Sequence, residues 1–233
     1  MANAILMASG MGTRMMPLTK DTPKPLLPVC GKPMVTTVLD GLVAAGVSKI
    51  FLVSGYLGEQ FEALKASYPN LSIINNPYYE SVNNISSVYV ARDVLAGDDC
   101  FVCEADLYVM REDLFAVHPS YSCYYGVMRP GFSGDWGFET DEAGIITRVG
   151  KGVTDCYNMV GVSYLKQREA ALVATAVERT FGTPGYETLF WDDVVDSILG
   201  ELQLRVFPVE NSAIAELDTP EELEELERRL NEG

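Results

Sequence analysis

An apolar run that ends in a glycine turn constrains this chain more than any other feature. Residues 4–8 (Ala-Ile-Leu-Met-Ala) have the length and composition of a short buried strand. Gly10 and Gly12 follow, and a glycine backbone turns tightly and approaches a ligand without interference from a Cβ atom. Arg14 and Lys24 then add two positive charges. A glycine turn with N–H groups and cations aimed into it is how proteins hold phosphates, so the segment predicts a phosphate cradle.

Two common glycine loops do not fit this segment. A P-loop requires Gly, four residues and then Gly-Lys-Ser/Thr, a string that the chain lacks. A dinucleotide fingerprint requires a third glycine three residues after Gly12, where Met15 stands. Both interpretations are therefore excluded.

Strand-like and helix-like segments alternate along the first half of the chain. The apolar runs predict strands at 4–8, 49–53, 71–75 and 100–103 and helices at 33–45, 58–68 and 84–95. This order predicts an α/β fold, with a mostly parallel sheet and helices on both faces. The second half predicts strands at 122–128, 138–140, 145–149, 159–164 and 202–207 and helices at 167–179, at 189–199 and from 219.

No linker or repeat divides the sequence, so one domain is expected over residues 1–233. We expect three parts within it, at 1–110, 120–200 and 201–233, of which the last is a closing strand and helix.

The charge of the chain limits its partners. Its net charge of −16 argues against sequence-independent binding to nucleic acid or to an anionic membrane. Residues 1–34 instead carry a net charge of +3, and one cationic patch in an acidic protein indicates a bound polyanion.

Cysteine usage and the N-terminal sequence favour a cytoplasmic location. No apolar stretch has the length of a membrane span, and no basic region followed by an apolar run marks a signal peptide. The five cysteines lack disulfide-framework spacing. Cys100 and Cys103 stand three apart in a strand-like run and should face opposite ways, which favours core packing over a redox pair. The single histidine, His118, precedes Pro119 in a predicted turn, which argues against histidine-based catalysis.

Two aspartates are candidates for holding a metal ion. Asp106 follows the predicted strand at 100–103, and Asp218 precedes the last helix. Ligands of an open parallel sheet bind beyond the carboxyl ends of its strands, and Mg²⁺ takes a few carboxylates together with phosphate oxygens and water. Taken alone, Asp106 would be only a turn residue and Asp218 only a helix cap. The upstream cradle favours the metal interpretation.

Both tryptophans are bordered by acidic residues. Trp136 follows Asp135, and Trp191 stands between Phe190 and Asp192. An aromatic face beside a carboxylate is a favourable site for a quaternary ammonium. The alternative is that the indoles pack in the core.

The cradle resembles the signature of the sugar-phosphate nucleotidyltransferases, G-x-G-T/S-R-x-x-P-x-T followed by P-K-x-L and K-P. The matching stretches are Gly10–Thr19 (GMGTRMMPLT), Pro23–Leu26 (PKPL) and Lys32-Pro33. Ser9 departs from the alanine or glycine common at its position. The resemblance implies a Rossmann-like mixed sheet of the nucleotide-diphospho-sugar transferase type with a small substrate-binding lid. It also implies that residues 1–110 form a nucleotide-binding half and that residues 120–200 form an acceptor-binding half with the lid.

Within that family the chain looks like the bacterial CTP:phosphocholine cytidylyltransferases. The similar stretches are Val53–Tyr56, Asn83–Ser87, Glu104–Asp106, Asp135-Trp136, Leu189–Asp192 and Ala215–Asp218. In that subfamily a tryptophan and a tyrosine line the choline pocket. Trp136 matches the tryptophan, whereas Phe190 stands at the tyrosine position and keeps only its π face.

The resemblance implies that CTP and phosphocholine react to give CDP-choline and pyrophosphate, with Mg²⁺ as cofactor. Lys24 and Arg14 would be catalytic, and Asp106 and Asp218 would hold the metal. The expected nucleotide-binding residues are Ala8, Ser9, Gly10, Met11, Gly12, Thr13, Arg14, Lys24, Asn84 and Ser86. The expected acceptor-binding residues are Asp135, Trp136, Phe190, Trp191 and Asp192.

Two alternatives remain open at this stage. A sugar-1-phosphate uridylyl-, thymidylyl- or guanylyltransferase would use the same loop with another nucleotide and acceptor. A non-catalytic nucleotide sensor would keep the fold alone, although the joint presence of Lys24, Arg14, Asp106 and Asp218 disfavours it. The sequence leaves the oligomeric state open.

Overall fold

A seven-stranded mixed sheet organises the protein, whose computed structural model describes residues 2–116 and 118–232. The strands of the protein are β1 (Asn3–Ala8), β2 (Pro28–Val29), β3 (Lys32–Pro33), β4 (Lys49–Ser54), β5 (Leu71–Asn75), β6 (Cys100–Glu104), β7 (Leu107–Val109), β8 (Ser122–Thr140), β9 (Ile146–Leu165), β10 (Leu204–Pro208) and β11 (Ile214–Glu216). The α-helices are α1 (Met34–Ala44), α2 (Ile85–Val90), α3 (Arg92–Gly97), α4 (Gln167–Thr180), α5 (Trp191–Ser197) and α6 (Pro220–Glu232). Within the described ranges, no helix is long and apolar enough to cross a membrane.

The large sheet has the strand order β10-β8-β9-β6-β1-β4-β5. Strands β6, β1, β4 and β5 run parallel to one another, while β9 is antiparallel to both β6 and β8. Strand β10 is parallel to β8. The predicted fold class, a mostly parallel mixed sheet between helices, is confirmed. The carboxyl ends of β1 and β6 lie side by side, where parallel sheets bind their ligands.

Both faces of the sheet are buried, because alternate residues of its central strands enter different cores. Leu6 of β1 packs in one core with Leu39 of α1. Its neighbour Ile5 packs in the other core with helices α2 to α5. Cys103 and Cys100 divide between these two cores in the same way, as their spacing predicted.

Two of the predicted helices differ in the structure. The segment expected as a helix at 58–68 is a 3₁₀ helix, Gly58–Ala66, in which only Phe61 is buried. A single apolar anchor gives a regular α-helix little tertiary support. The helix expected at 84–95 is divided at Ala91 into α2 and α3. The serines of α2 form local hydroxyl–carbonyl bonds that compete with the helix, such as that from Ser86 Oγ to the Asn83 carbonyl at 2.8 Å. The isoleucine and valines of α2 lose side-chain freedom in a helix.

The four short strands expected between 122 and 164 are two long strands, β8 of 19 residues and β9 of 20 residues. Pro130, Gly131 and Gly134 lie between the predicted strands, and such residues are typical of strand ends. The pairing shifts register at these residues, between 129 and 132 and between 133 and 136. Bulges therefore absorb them within a continuous hairpin.

A small second sheet, which the sequence did not predict, joins the end of the chain to its centre. Strand β11 pairs antiparallel with β7, and Glu216 lies opposite Leu107. Asp106 immediately precedes β7, and Asp218 follows β11 by two residues. The pairing therefore brings the two predicted metal ligands to one edge of the molecule.

Candidate active site

A cavity of about 590 Å³ opens at the carboxyl ends of β1 and β6. It takes residues from all three predicted parts of the chain, including the β8–β9 hairpin where the lid was expected. The predicted site residues that line it are Ala8, Ser9, Gly10, Gly12, Thr13, Arg14, Lys24, Asn84, Ser86, Asp106, Asp135, Trp136, Phe190, Asp192 and Asp218.

Two predicted residues lie outside this lining. Met11 is exposed on the surface of the loop. Trp191 is only 3% exposed, and its ring packs 5.7 Å from that of Tyr124 in the core. The assignment of Trp191 to the acceptor pocket is corrected accordingly: the first turn of α5 directs this indole inward.

The two glycines of the cradle have different structural roles. Gly12 adopts φ +59°, and a Cβ atom there would lie 2.9 Å from Lys24 Cβ. Thr19 Oγ1 donates to the Gly12 carbonyl at 2.9 Å and fixes this close packing. At Gly10 a Cβ atom would meet nothing within 4 Å, because the residue borders the open cavity.

Lys24 lies at the centre of the charged end of the cavity. Its Nζ donates to Asp106 Oδ2 at 2.5 Å and to Asp218 Oδ1 at 2.8 Å, and the residue is only 7% exposed. Burial alone would lower the pKa of Lys24, but the charges and hydrogen bonds of Asp106 and Asp218 outweigh it and raise the pKa to about 12. The side chain is therefore a permanent cation and not a base.

Asp218 is available to the site because a neighbour caps the last helix. Thr219 Oγ1 accepts the N–H of Glu222 at 3.3 Å, and Glu222 Oε2 accepts the N–H of Thr219 at 3.0 Å, which forms a capping box. The carboxylate of Asp218 instead accepts from Lys24 and from Arg14 Nη2, both at 2.8 Å.

The donor set at this edge fits a hard divalent cation bound with phosphates. Asp106 and Asp218 use one oxygen each toward Lys24. Glu104 and Glu216 also line the cavity, and burial followed by the charges of Glu216 and Asp106 raises the pKa of Glu104 well above its usual range. Among the described residues, no three His, Cys, Asp or Glu side chains are arranged to enclose a metal ion. Two carboxylates completed by phosphate oxygens and water are a usual environment for Mg²⁺.

Small polar side chains hold the glycine turn against the sheet. Ser9 Oγ donates to the Val53 carbonyl at 3.0 Å and accepts from Ser87 Oγ at 3.2 Å. Asn84 Oδ1 accepts the backbone N–H of Trp191 at 2.9 Å, which links α2 to the start of α5. The hydroxyl of Ser9 thus positions the loop from beneath.

The other end of the cavity is aromatic. The rings of Trp136 and Phe190 meet edge to face, with 5.4 Å between their centroids. Lys151 Nζ lies 5.7 Å from the Trp136 centroid and 5.2 Å from the Phe190 centroid. Deeper in the wall, Tyr124 donates its hydroxyl to Asp192 Oδ1 at 3.0 Å, and burial raises the pKa of Asp192 to about 7.

The sequence model of the nucleotidyl transferase family matches residues 3–121, which include the cradle and Asp106. The chain belongs to the nucleotidyl transferase family. This nucleotidyltransferase is 50% identical over 221 residues to 2-aminoethylphosphonate cytidylyltransferase from Lancefieldella rimae, covering 95% of this chain and 90% of that protein. It is 28% identical to choline-phosphate cytidylyltransferase from Streptococcus pneumoniae, covering 97% of each chain.

A solved structure of CTP:phosphocholine cytidylyltransferase from Streptococcus pneumoniae has the same fold. It superposes with a TM-score of 0.90 at 28% identity, covering 98% of this nucleotidyltransferase and 99% of that chain. The expected fold type is therefore confirmed along the whole length of both chains.

Several residues that line the cavity of the nucleotidyltransferase were not predicted from the sequence. Lys151 stands opposite Trp136 only because of the β8–β9 register, which the sequence does not reveal. Asn76 follows β5 directly, and its position after a parallel strand was a usable signal. The other unpredicted lining residues are Met7, Pro25, Tyr79, Val82, Asn83, Ser87, Glu104, Gly134, Met159, Gly161 and Glu216.

Proposed function

We propose that this nucleotidyltransferase transfers CMP from CTP to 2-aminoethylphosphonate and releases pyrophosphate. The observation that carries the proposal is the 50% identity, over nearly the whole of both chains, to a 2-aminoethylphosphonate cytidylyltransferase. The cavity supports it, because a cationic phosphate cradle at one end faces carboxylates and aromatic rings at the other.

The reaction that we propose is a direct in-line displacement. A phosphonate oxygen of the acceptor forms a bond to the α-phosphorus of CTP, and the bridging P–O bond to the β-phosphate breaks. Pyrophosphate leaves with that electron pair, so no covalent intermediate with the protein is needed. Catalysis is then a matter of positioning and charge stabilisation.

Lys24 and Arg14 supply the positive charge in this proposal. Lys24 stays protonated because its pKa is raised to about 12, and it acts on charge that develops at the α-phosphate. Arg14 and the backbone N–H groups of residues 10–14 hold the departing pyrophosphate. Ala8, Asn84 and Ser86 border the nucleoside and its phosphates.

We further propose that Asp106 and Asp218 hold Mg²⁺. When bound, the ion would neutralise charge on the phosphate oxygens of CTP. The two carboxylates fit this role because Thr219, and not Asp218, caps α6. Each carboxylate also has an oxygen that does not bind Lys24.

Phosphocholine is the second candidate acceptor. It is favoured by the Trp136–Phe190 pair, since aromatic faces bind a quaternary ammonium that cannot donate hydrogen bonds. The choline-phosphate relatives at 28% identity point the same way. Both acceptors carry a cationic group on a short chain that ends in a phosphorus oxyanion.

The cytoplasm is the compartment that we propose for this reaction. All five cysteines are free thiols, and three of them are buried at Cys100, Cys103 and Cys123. Reduced thiols are typical of that compartment.

A substrate matrix tests the proposal. Pyrophosphate release would be measured for CTP, UTP, dTTP and GTP, each with 2-aminoethylphosphonate, phosphocholine, glucose 1-phosphate and mannose 1-phosphate. We expect the highest kcat/KM for CTP with 2-aminoethylphosphonate. Turnover of a hexose 1-phosphate, without turnover of 2-aminoethylphosphonate or phosphocholine, would refute the proposal in favour of a sugar nucleotidyltransferase. CTP binding without turnover of any pair would favour the nucleotide sensor.

A further inference from the structure

The aromatic end of the cavity already contains a cation that belongs to the protein. Lys151 lies directly opposite Trp136 in the β8–β9 register, and its ammonium lies within 6 Å of two ring centroids. No carboxylate of the described residues forms an ion pair with it. The rings are therefore the partners of this ammonium, which occupies a cation–π site.

Primary and quaternary ammonium groups depend on those rings to different degrees. A quaternary ammonium has no N–H donor, so aromatic faces and unspecific attraction to carboxylates are its main means of recognition. A primary ammonium has three donors and can bind carboxylates directly. Asp135, an exposed residue next to Trp136, lines the same cavity and provides such an acceptor.

We propose that Lys151 determines acceptor specificity by occupying the faces of Trp136 and Phe190, so that the enzyme favours acceptors with a primary ammonium over those with a quaternary one. The inference rests on the proposed function, because it concerns the acceptor end of the same cavity. It makes Lys151 a specificity-determining residue that repels a quaternary ammonium by charge and excludes it from the rings.

The test compares two acceptors that differ only in the three methyl groups on nitrogen, phosphoethanolamine and phosphocholine. Their kcat/KM values would be measured with CTP for the wild type, Lys151→Met and Lys151→Arg, with 2-aminoethylphosphonate as a third acceptor. Methionine keeps the length of the side chain and removes its charge, whereas arginine keeps the charge. Lys49→Met, at an exposed position on β4 outside the cavity, is the matched control.

We expect Lys151→Met to shift the ratio of kcat/KM toward phosphocholine by about fivefold or more, mainly through a lower KM for phosphocholine. Lys151→Arg and Lys49→Met should keep the wild-type ratio. Tetramethylammonium, a quaternary cation without phosphate, should inhibit Lys151→Met at lower concentration than it inhibits the wild type.

Two results would overturn the inference while leaving the proposed function intact. One is an unchanged ratio in an active Lys151→Met enzyme. The other is an equal rise in KM for both acceptors, which would identify Lys151 as a ligand of their shared phosphate group. Absence of turnover with all three acceptors in the wild type would overturn the proposed function and this inference together.

Discussion

Lys24 donates a 2.5 Å hydrogen bond to Asp106, and the two residues come from the glycine loop after β1 and from the end of β6. The same ammonium also binds Asp218, at the start of the last helix. One buried cation thus connects three segments of the chain. Removal of the Lys24 ammonium should therefore change both the rate of the reaction and the electrostatics around Asp106 and Asp218.

We expect Lys24→Met to reduce kcat by about 10²–10³-fold, because a donor preorganised for transition-state charge is lost. The fold should persist, since Asp106 and Asp218 are partly exposed and water can solvate them. Steady-state kinetics and circular dichroism measure the two effects. The exposed Lys20→Met, in the same loop, is the control, and wild-type kcat in Lys24→Met would refute the assigned role.

Chelation of divalent cations with EDTA should abolish turnover, and added Mg²⁺ should restore it. Asp218→Asn should raise the Mg²⁺ concentration needed for half-maximal activity by about tenfold or more. Glu224→Gln on the exposed face of α6 should leave it unchanged. An unaltered Mg²⁺ titration of Asp218→Asn would exclude this aspartate as a ligand.

Trp136→Ala should raise the KM of the acceptor about 2- to 30-fold and change that of CTP less, because Trp136 lines only the acceptor end of the cavity. Without this ring, the Lys151 ammonium loses a cation–π partner and repels the cationic group of the acceptor more strongly. Phe132→Ala, at a 75% exposed residue of the same hairpin, is the matched control. If the acceptor KM of Trp136→Ala matches that of the wild type, the ring only packs the hairpin.

The two glycines of the cradle should separate stability from binding. Gly12→Ala should lower the free energy of unfolding by about 1–3 kcal/mol, since φ is +59° and the new Cβ would lie 2.9 Å from Lys24 Cβ. Gly10→Ala should leave thermal stability unchanged and raise the KM for CTP, because its Cβ enters the cavity. Thermal melts and steady-state kinetics on both variants measure the two effects. Equal melting temperatures for Gly12→Ala and Gly10→Ala would contradict the predicted difference in stability.

Asp192 should make stability depend on pH near neutrality. Burial raises its pKa from 3.8 to about 7, so the folded protein holds a proton that the unfolded chain releases. Its contribution to stability is therefore complete below pH 4 and is lost as the pH rises to 7. Asp192→Asn keeps an acceptor for Tyr124 and should be more stable than the wild type at pH 8. The free energy of unfolding of this variant should also change less between pH 4 and pH 7.

Denaturant titrations from pH 4 to 8 measure this difference. Glu187→Gln on the exposed turn before α5 provides the control. Parallel pH profiles for Asp192→Asn and the wild type would show that Asp192 titrates normally.

Local patterns in the sequence were sufficient to predict the four parallel strands in the first half of the chain. Strands β1, β4 and β6 are largely buried and have nearly continuous apolar sequences, and the glycine turn follows the first of them. Such local patterns do not predict which distant strands pair with each other. The β7–β11 pair and the β8–β9 register depend on contacts between distant segments. The pairing of Asp218 with Asp106 was therefore predicted mainly from the family resemblance, and the position of Lys151 was not predicted.

The two tryptophans illustrate the same limit. Both stand beside acidic residues, yet Trp136 lines the cavity and Trp191 is buried against Tyr124. The difference arises because one lies on a hairpin at the cavity wall and the other in the first turn of α5, against the core. Composition around an aromatic residue predicts its chemistry but not the direction in which the fold turns it.

The β7–β11 pairing has a consequence for biosynthesis. A nascent chain that has been made only as far as β10 carries the cradle, Lys24 and Asp106, but it has no Asp218. Domains generally fold as units, so the nucleotide loop is completed together with the strand that places its second carboxylate. A ribosome-bound chain that ends before residue 218 should therefore lack a complete site and turn over no nucleotide.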